Sequence, residues 1–567
     1  MFDFKKAIAD LLVGHTEGLT TEEIYESLEI PKHSDMGDFA FPCFKLAKSM
    51  RKAPVVIAAE LSAALEPVDC IDKTEAVAGY VNFTLNKGAL AKVVLTEIQN
   101  MKEQYGSSTL GNGKKAIVEF SSTNIAKPFH MGHIRSTMIG NSLYRIHKCL
   151  GYETIGINHL GDYGTQFGKL IVAYKKWGVK EAVEINPIPE LLTLYVKFHE
   201  EAEKDPSYDD EARAWFKKLE NNDEEAYQLW SWFRDVSLKE FDRVYSMLDV
   251  HFDSYAGESF YSDKMPEVLT EMRDKGLMVA SEGAEIVELE AFGMPPALIT
   301  KKDGSSLYIT RDIAAAIYRK KHYDFDKNIY VVGSAQKLHF QQWMKIIELM
   351  GHEWVKNCVH VDFGMIGLEE GAMSTRSGRI VFLEDVLKTA VEKTRQIIEE
   401  KNPNLENKED VAAAIGIGAI VFQELSNNRI KDYTFSWEKA LAFEGETGPY
   451  VQYTHARSCS VLRKAPENWQ AQDINYDLLV EKEEVEVLRL LRKFPEVIVD
   501  AGEKYEPSLI TRYIIDLAQT FNRFYHDHSI LLEDEALSFA RLSLVNGVRQ
   551  TLKNGLYLIS LKAPERM

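Results

Sequence analysis

AIVEFSSTNIAKPFHMGHIRSTMIGNSLYRIHKCLGYETIGINHL, residues 116–160, is the stretch on which the fold turns. It opens with a β-rich run, AIVEFSST (116–123), and crosses a polar stretch. A helical pattern then begins, HIRSTMIGNSLYRIHKCLGYE, and closes at Gly151. ETIGINHL (153–160) follows as a second strand. Strand, loop, helix and strand within about 45 residues form a βαβ unit, which predicts a parallel sheet. FHMGH, Phe129–His133, stands at the start of the helix. There a parallel sheet presents backbone N–H groups and the positive end of a helix dipole to phosphates. His130 and His133 could donate hydrogen bonds to an α-phosphate, and Gly132 lets a nucleotide approach the backbone.

Outward from this unit the pattern changes. Toward the N-terminus, Phe4, Ile8, Leu11 and Leu12 share one helical face, a helix is expected over Pro54–Leu65, and AVAGYVNFTLN (Ala76–Asn86) alternates as a strand. YGSSTLGNGKK near 105–115 reads as a Gly/Ser-rich linker. Residues about 175–290 are charged, helical and rich in aromatics (Trp215, Trp230, Trp232, Phe233, Phe241, Tyr245), which reads as core. LYITRDIAAAIYRKK and KNIYVVGSAQ resume the α/β pattern. From Leu383 the chain reads as almost wholly helical. IGIGA (415–419) has no strand before it and is not a dinucleotide loop.

Composition sets the class. Of 567 residues, 45% are apolar and 27% charged, as in ordinary globular proteins. No apolar run reaches the ~18 residues of a spanning helix, and the first residues lack a secretory pattern, so a cytoplasmic protein with no membrane partner is expected. The five cysteines have no C-x-x-C spacing, and no protein-bound metal is expected. Net charge is −19, and the segment from Val451 onward carries only −2 of it. A polyanion would therefore need local basic patches, and the C-terminal part is the more permissive place for one.

HMGH resembles the HIGH signature of class I aminoacyl-tRNA synthetases, and EFSSTNIAKPFHMGHIRST resembles its arginyl branch, where N-x-A-K precedes the signature. NHLGDYGTQFG (158–168), LYITRD (307–312), VVGSAQ (331–336), YVQYTHAR (450–457), FNRFY (521–525) and the closing LKAPERM extend the resemblance over nearly the whole chain. The fold it implies is multidomain α/β. A small α+β tRNA-contacting domain (1–110) precedes a parallel-sheet, Rossmann-like catalytic domain (111–365) with a helical insertion about 175–290. A stem-contact region (366–445) and an all-helical anticodon-binding domain (446–567) follow.

The implied activity is ATP-dependent ligation of L-arginine to tRNA(Arg) through an arginyl-adenylate, by a monomer, with Mg2+ arriving on ATP. A lysine-rich loop usually holds the pyrophosphate in this class. Here the matching segment is GAMSTRSGR (371–379), with Ala372 at the first lysine position. Lys127, three residues before His130, could supply the cation that the departing charge needs. ATP contacts are expected from Asn124, His130, Gly132, His133, Met373, Ser374 and Arg376.

The resemblance places Glu119, Asn124, Tyr308, Asp312 and Gln336 in the arginine site. A guanidinium wants a carboxylate for a two-point grip, and Tyr308 and Asp312, at i and i+4, would share a helix face. Asp312 also reads as a first-turn acid meeting Arg311 or the helix dipole. RNA contacts are expected from Asn82, Phe83, Tyr453, Arg457, Phe521 and Arg523, as aromatics interleaved with polar donors. Three other readings stay open: another class I synthetase, an HxGH nucleotidylyltransferase, and an inactive RNA-binding paralogue.

Overall fold

The structure, a computed structural model, describes residues 2–16, 18–31, 33, 36–66, 68–301, 308–368 and 381–567. The N-terminal helix Phe4–Val13 buries Phe4, Ile8 and Leu12, with Leu11 only half-buried. Three strands, β1 (Phe39–Pro42), β2 (Ile71–Val77) and β3 (Tyr80–Leu85), form an antiparallel sheet ordered β1-β3-β2. The single strand expected over Ala76–Asn86 is thus a hairpin. Ala78 (φ 47°) and Gly79 (φ 88°) make a two-residue left-handed turn between β2 and β3. Such a turn matches the strand twist, and Ala-Gly within an alternating run hides it from periodicity. The helix Pro54–Ala64 starts with its proline in the first turn, as expected.

The supposed linker at 105–115 is packed rather than loose. Tyr105 is buried, and its hydroxyl donates to the Leu491 carbonyl at 2.7 Å. A Cβ on Gly106 would lie 2.6 Å from Ile498. Beyond it come β4 (Lys115–Glu119), the helix Ile134–Cys149 and β5 (Glu153–Ile157). Gly140 lets this helix press on β4's end, since a Cβ there would lie 2.1 Å from Phe120 Cβ.

The helical insertion runs through Thr165–Trp177, Pro187–Lys204, Ser207–Glu220 and Glu224–Met247, with Trp215, Trp230, Phe233, Phe241 and Tyr245 buried. It does not stay helical to 290. β6 (Val279–Ser281), β7 (Ala284–Val287) and β8 (Ala297–Thr300) form a small antiparallel sheet behind the helix Met265–Asp274. Each strand is too short to show a period-2 signal among charged residues.

After the helix Tyr308–Tyr323 come β9 (Lys327–Gly333) and β10 (Cys358–Phe363). They complete a fully parallel sheet in the order β10-β9-β4-β5, with Val118 facing Gly156 on one side and Ile329 on the other. The chain runs from β4 to β5 on one side and returns to β9 on the other. The carboxyl ends of β4 and β9 therefore flank the crevice where such sheets bind ligands.

Among the described residues, the C-terminal part is mainly helical, and β11 (Ile366–Leu368) pairs in parallel with β12 (Tyr433–Phe435). IGIGA lies inside the helix Lys408–Ser426, where a Cβ on Gly416 would lie 2.7 Å from the Ala390 backbone. Its glycines serve a close helix crossing. The last helices are bonded to the catalytic sheet's own helix: Asn141 Nδ2 donates to Ser560 Oγ at 2.8 Å, and Arg145 Nη1 to the Tyr557 carbonyl at 2.8 Å. Among the described residues no helix is long and apolar enough to cross a membrane.

Candidate active site

The signature lies where β4 gives way to the Ile134–Cys149 helix. His130 caps a single 3-10 turn, Met131–His133. Gly132 N–H donates to His130 Nδ1 at 3.1 Å, and His130 N–H donates to His133 Nδ1 at 3.2 Å. Burial lowers the pKa of His130. Burial and the neighbouring His130 bring His133 down to about 3. Both rings are therefore neutral near pH 7. With each Nδ1 accepting, the proton of each is assigned to Nε2, the tautomer that donates to a phosphate oxygen.

The polar stretch before the signature is held by a buried network. Tyr245 OH lies 2.8 Å from Ser121 Oγ and 3.4 Å from Thr123 Oγ1, and accepts from Asn158 Nδ2 at 2.9 Å. Ser121 N–H donates to Ser136 Oγ, which donates to the Val331 carbonyl of β9. Ser121, Ser122 and Ala126 all have positive φ, at 67°, 50° and 59°. Non-glycine residues hold that conformation only where surrounding bonds over-determine it. Asn124 pairs with Gly161 across a parallel bridge, and a Cβ on Gly161 would lie 2.2 Å from Asn124 Oδ1. Gly161 thereby makes room for that amide.

Lys127 is half-buried, and desolvation lowers its pKa against the nearby Glu258 carboxylate. Glu258 was not singled out from sequence. It begins the short helix Glu258–Tyr261, and burial raises its pKa to about 7 despite Arg311 Nη1 at 2.9 Å. Asp312 and Asp162 also bear on it. The pairing of Arg311 with Glu258 settles one alternative. Asp312 is not Arg311's partner, and it stands beyond the first turn of the Tyr308–Tyr323 helix. Its Oδ2 meets His339 Nε2 instead. Tyr308 is 62% exposed at the start of the same helix, and Gln336 is exposed in the 3-10 turn after β9.

Glu119 ends β4 as expected, but its carboxylate is already engaged by Arg319 Nη1 at 2.6 Å. Arg319 is wholly buried, lies over the Tyr261 and Tyr330 rings and donates to His159 Nδ1 at 3.3 Å. Burial keeps His159 neutral at physiological pH by lowering its pKa. Glu119, Asp162 and Asp312 thus gather around His159, Glu258 lies close to Asp162 and Asp312, and Arg319, Arg234 and Arg311 pair with Glu119, Asp162 and Glu258 respectively. His159, His339, Glu258 and Arg319 went unread because folding, not sequence proximity, gathers them. His159 alone carried a signal, within NHLGD.

Met373, Ser374 and Arg376 lie outside the described residues. The chain leaving that segment is tied to the signature: Met131 N–H donates to the Val381 carbonyl and Leu383 N–H to the Phe129 carbonyl, both at 3.0 Å.

The expected RNA contacts divide. Phe83 and Phe521 are fully buried, and Asn82 nearly so. The expectation that these three meet RNA therefore falls on side chains enclosed in the protein. Consecutive β3 residues are covered on both faces, and Phe521 points into the helical core. Tyr453 and Arg457 line a cavity of about 560 Å³ with Arg463, Lys464, Tyr525 and Arg566. Arg457 lies over the Tyr453 ring at 4.8 Å and the Tyr525 ring at 5.2 Å, and donates to Asn522 Oδ1. Arg523 is exposed beside a second cavity, with Glu486 Oε2 at 3.6 Å. Among the described residues no cluster of three His, Cys, Asp or Glu could hold a metal ion.

Three family models match the chain. They are the class I (R) tRNA synthetase catalytic domain over 94–437, the DALR anticodon binding domain over 451–567, and the arginyl tRNA synthetase N terminal domain over 3–85. The arginine–tRNA ligase of Clostridioides difficile (strain 630) is 61% identical over 567 residues, covering 100% of both chains. That of Halothermothrix orenii is 58% identical with the same coverage. Among solved structures, Thermus thermophilus arginyl-tRNA synthetase superposes with a TM-score of 0.82 at 24% identity, over 99% of each chain. That of Plasmodium falciparum gives 0.81 at 25% identity, over 99% of this chain and 98% of the other.

Proposed function

The chain belongs to the arginyl-tRNA synthetases and joins arginine to tRNA at the expense of ATP, and from that premise we propose how its residues divide the work. His130 and His133, neutral and protonated on Nε2, donate to the ATP phosphates while Gly132 admits the nucleotide to the backbone. The arginine carboxylate attacks the α-phosphorus in line. A phosphorus–oxygen bond to the amino acid forms as that to pyrophosphate breaks, giving arginyl-adenylate. Lys127 meets the charge that builds on the departing phosphates. Positioning and electrostatics carry such a transfer, and no protein nucleophile is required. Mg2+ enters on the ATP rather than in a protein cage. A terminal hydroxyl of the tRNA then attacks the arginyl carbonyl and AMP leaves.

The observation that carries the amino-acid reading is the cluster of carboxylates near the carboxyl end of β4. Asp312 and Glu258 offer carboxylates to the guanidinium, with Tyr308, Asn124 and Gln336 at its margin. Glu119 contributes while sharing its charge with Arg319. Tyr453 and Arg457 supply a stacking and cationic surface for unpaired bases, which their shared cavity accommodates. Charging of total tRNA with each of the twenty amino acids tests the reading. Arginine alone should be accepted. Citrulline, isosteric but uncharged, should be refused because it leaves a carboxylate unpaired.

A further inference from the structure

Two residues past His133, in the first turn of its helix, the Arg135 side chain is only 1% exposed. Its Nε meets Glu424 Oε1 at 2.9 Å, and Glu424 is wholly buried on the helix Lys408–Ser426. Tyr433 OH of β12 donates to the other carboxylate oxygen at 2.7 Å. The rest of the guanidinium donates to the carbonyls of Lys431 (2.9 Å), Arg429 (3.1 Å) and Met365 (3.5 Å). These carbonyls lie just ahead of β12 and β11, which are themselves paired from Ile366 and Tyr433 onward. Asp432 Oδ1 accepts from Met365 N–H at 2.6 Å, and Arg429 donates on to Asp362 at the end of β10 and to the Tyr505 carbonyl.

An ion pair buried this deep adds little stability over an apolar replacement of equal volume. What a planar guanidinium adds is fixed direction, because its donors diverge at set angles. Here those directions join the helix of the two signature histidines, the β11–β12 pair and a C-terminal helix. We propose that Arg135, held by Glu424 and Tyr433, is a positioning residue for adenylate formation: it sets the distance between His130 and His133 and the β11–β12 pair. This rests on the reading of His130 and His133 as ATP contacts. The residues offered for the guanidinium, Glu258 and Asp312, lie on other elements and are not bonded to this unit.

The test uses the full chain with Arg135→Lys, Glu424→Gln and the mild Tyr433→Phe. Charging is measured at saturating tRNA while ATP and arginine are varied, and active sites are counted by a single-turnover burst. Arg135→Lys keeps the charge and loses the fork. It should lower kcat per active site about 30-fold and leave the arginine KM within about twofold, since small displacements of reacting groups carry penalties of that order. Tyr433→Phe should lower kcat about threefold to tenfold with a melting temperature near wild type. Glu424→Gln should lower kcat per active site as Tyr433→Phe does; should any of the three variants lower only the melting temperature or the active fraction, with kcat per active site unchanged, the residues are structural and the proposal fails. It fails too if the arginine KM moves as far as kcat. His130→Ala, run alongside, tests the histidine reading separately.

Discussion

His339 Nε2 lies 2.5 Å from Asp312 Oδ2, so the carboxylate offered to the substrate guanidinium already has a partner on a neighbouring helix. The contact spans two helices and fixes the rotamer of Asp312, leaving its other oxygen for the ligand. Asp312→Asn keeps the shape and removes the charge. The expected result is a large rise in arginine KM with the ATP KM nearly unmoved. Losing one charge-assisted contact is worth about 2–4 kcal/mol, or roughly 30- to 1,000-fold in kcat/KM. An unchanged arginine KM in steady-state charging would return Asp312 to a structural role.

Glu258 gives arginine binding a pH dependence. Burial holds its pKa at about 7, so it gains its negative charge only as the pH rises through neutrality. Arginine affinity should climb about tenfold between pH 6 and pH 8, as the ionised fraction rises from about a tenth to nine tenths. Stability runs the other way. A carboxyl whose pKa is raised by folding contributes most below its ordinary value of 4.5, and that contribution is lost as the pH rises through about 7. Calorimetric titration of arginine across this range is the measurement, and Glu258→Gln should bind weakly with a flat profile. A slope that survives the substitution assigns the titration elsewhere.

Lys127→Ala should lower kcat by roughly 10²–10³, the effect of removing one electrostatic stabiliser of a transition state. The arginine KM should shift little, because the contact strengthens as charge develops. Lys127→Arg should restore part of the rate, a fork replacing a point charge. Arg376→Ala and Arg379→Ala are the comparison. A collapse in either, with Lys127→Ala near wild type, would move the cation to that segment.

For the RNA surface, Arg457→Ala and Tyr453→Ala should each reduce kcat/KM for tRNA about 5- to 150-fold, the range for loss of one base-stacking partner at about 1–3 kcal/mol. The ATP and arginine constants, taken at saturating tRNA, should hold. Phe83→Leu should leave the tRNA constants alone, since its ring is enclosed in the N-terminal core. RNA binding that ignores Arg457 would displace the cavity from this role.

The βαβ unit and the histidine pair were readable because periodicity switches from 2 to 3.6 within one short stretch and both histidines stand at the switch. Asp312 and Tyr308 entered the arginine site through the family resemblance, and the structure sets them four residues apart on one helix. Glu258 and His339 were not readable, since each comes from a separate element and neither sits in a local pattern. Phe83 and Phe521 are ambiguous in sequence for a different reason. An aromatic beside Asn or Arg gives the same local signal whether the ring faces RNA or the core, and only the layers packed on β3 and on the Ser508–Asp527 helix decide. The hairpin at Ala78–Gly79 escaped because its turn residues do not break the alternation.

The left-handed backbone at Ser122 and Ala126 bears on how this sequence tolerates drift. Glycine or asparagine would suit both positions on conformational grounds, whereas valine or isoleucine would clash with the backbone itself. A saturation library scored by growth should therefore show a sharp veto on branched residues at two sites flanking Asn124. That intolerance would register as functional importance although it belongs to the main chain, whose path sets Asn124 against Gly161 and Lys127 near Glu258.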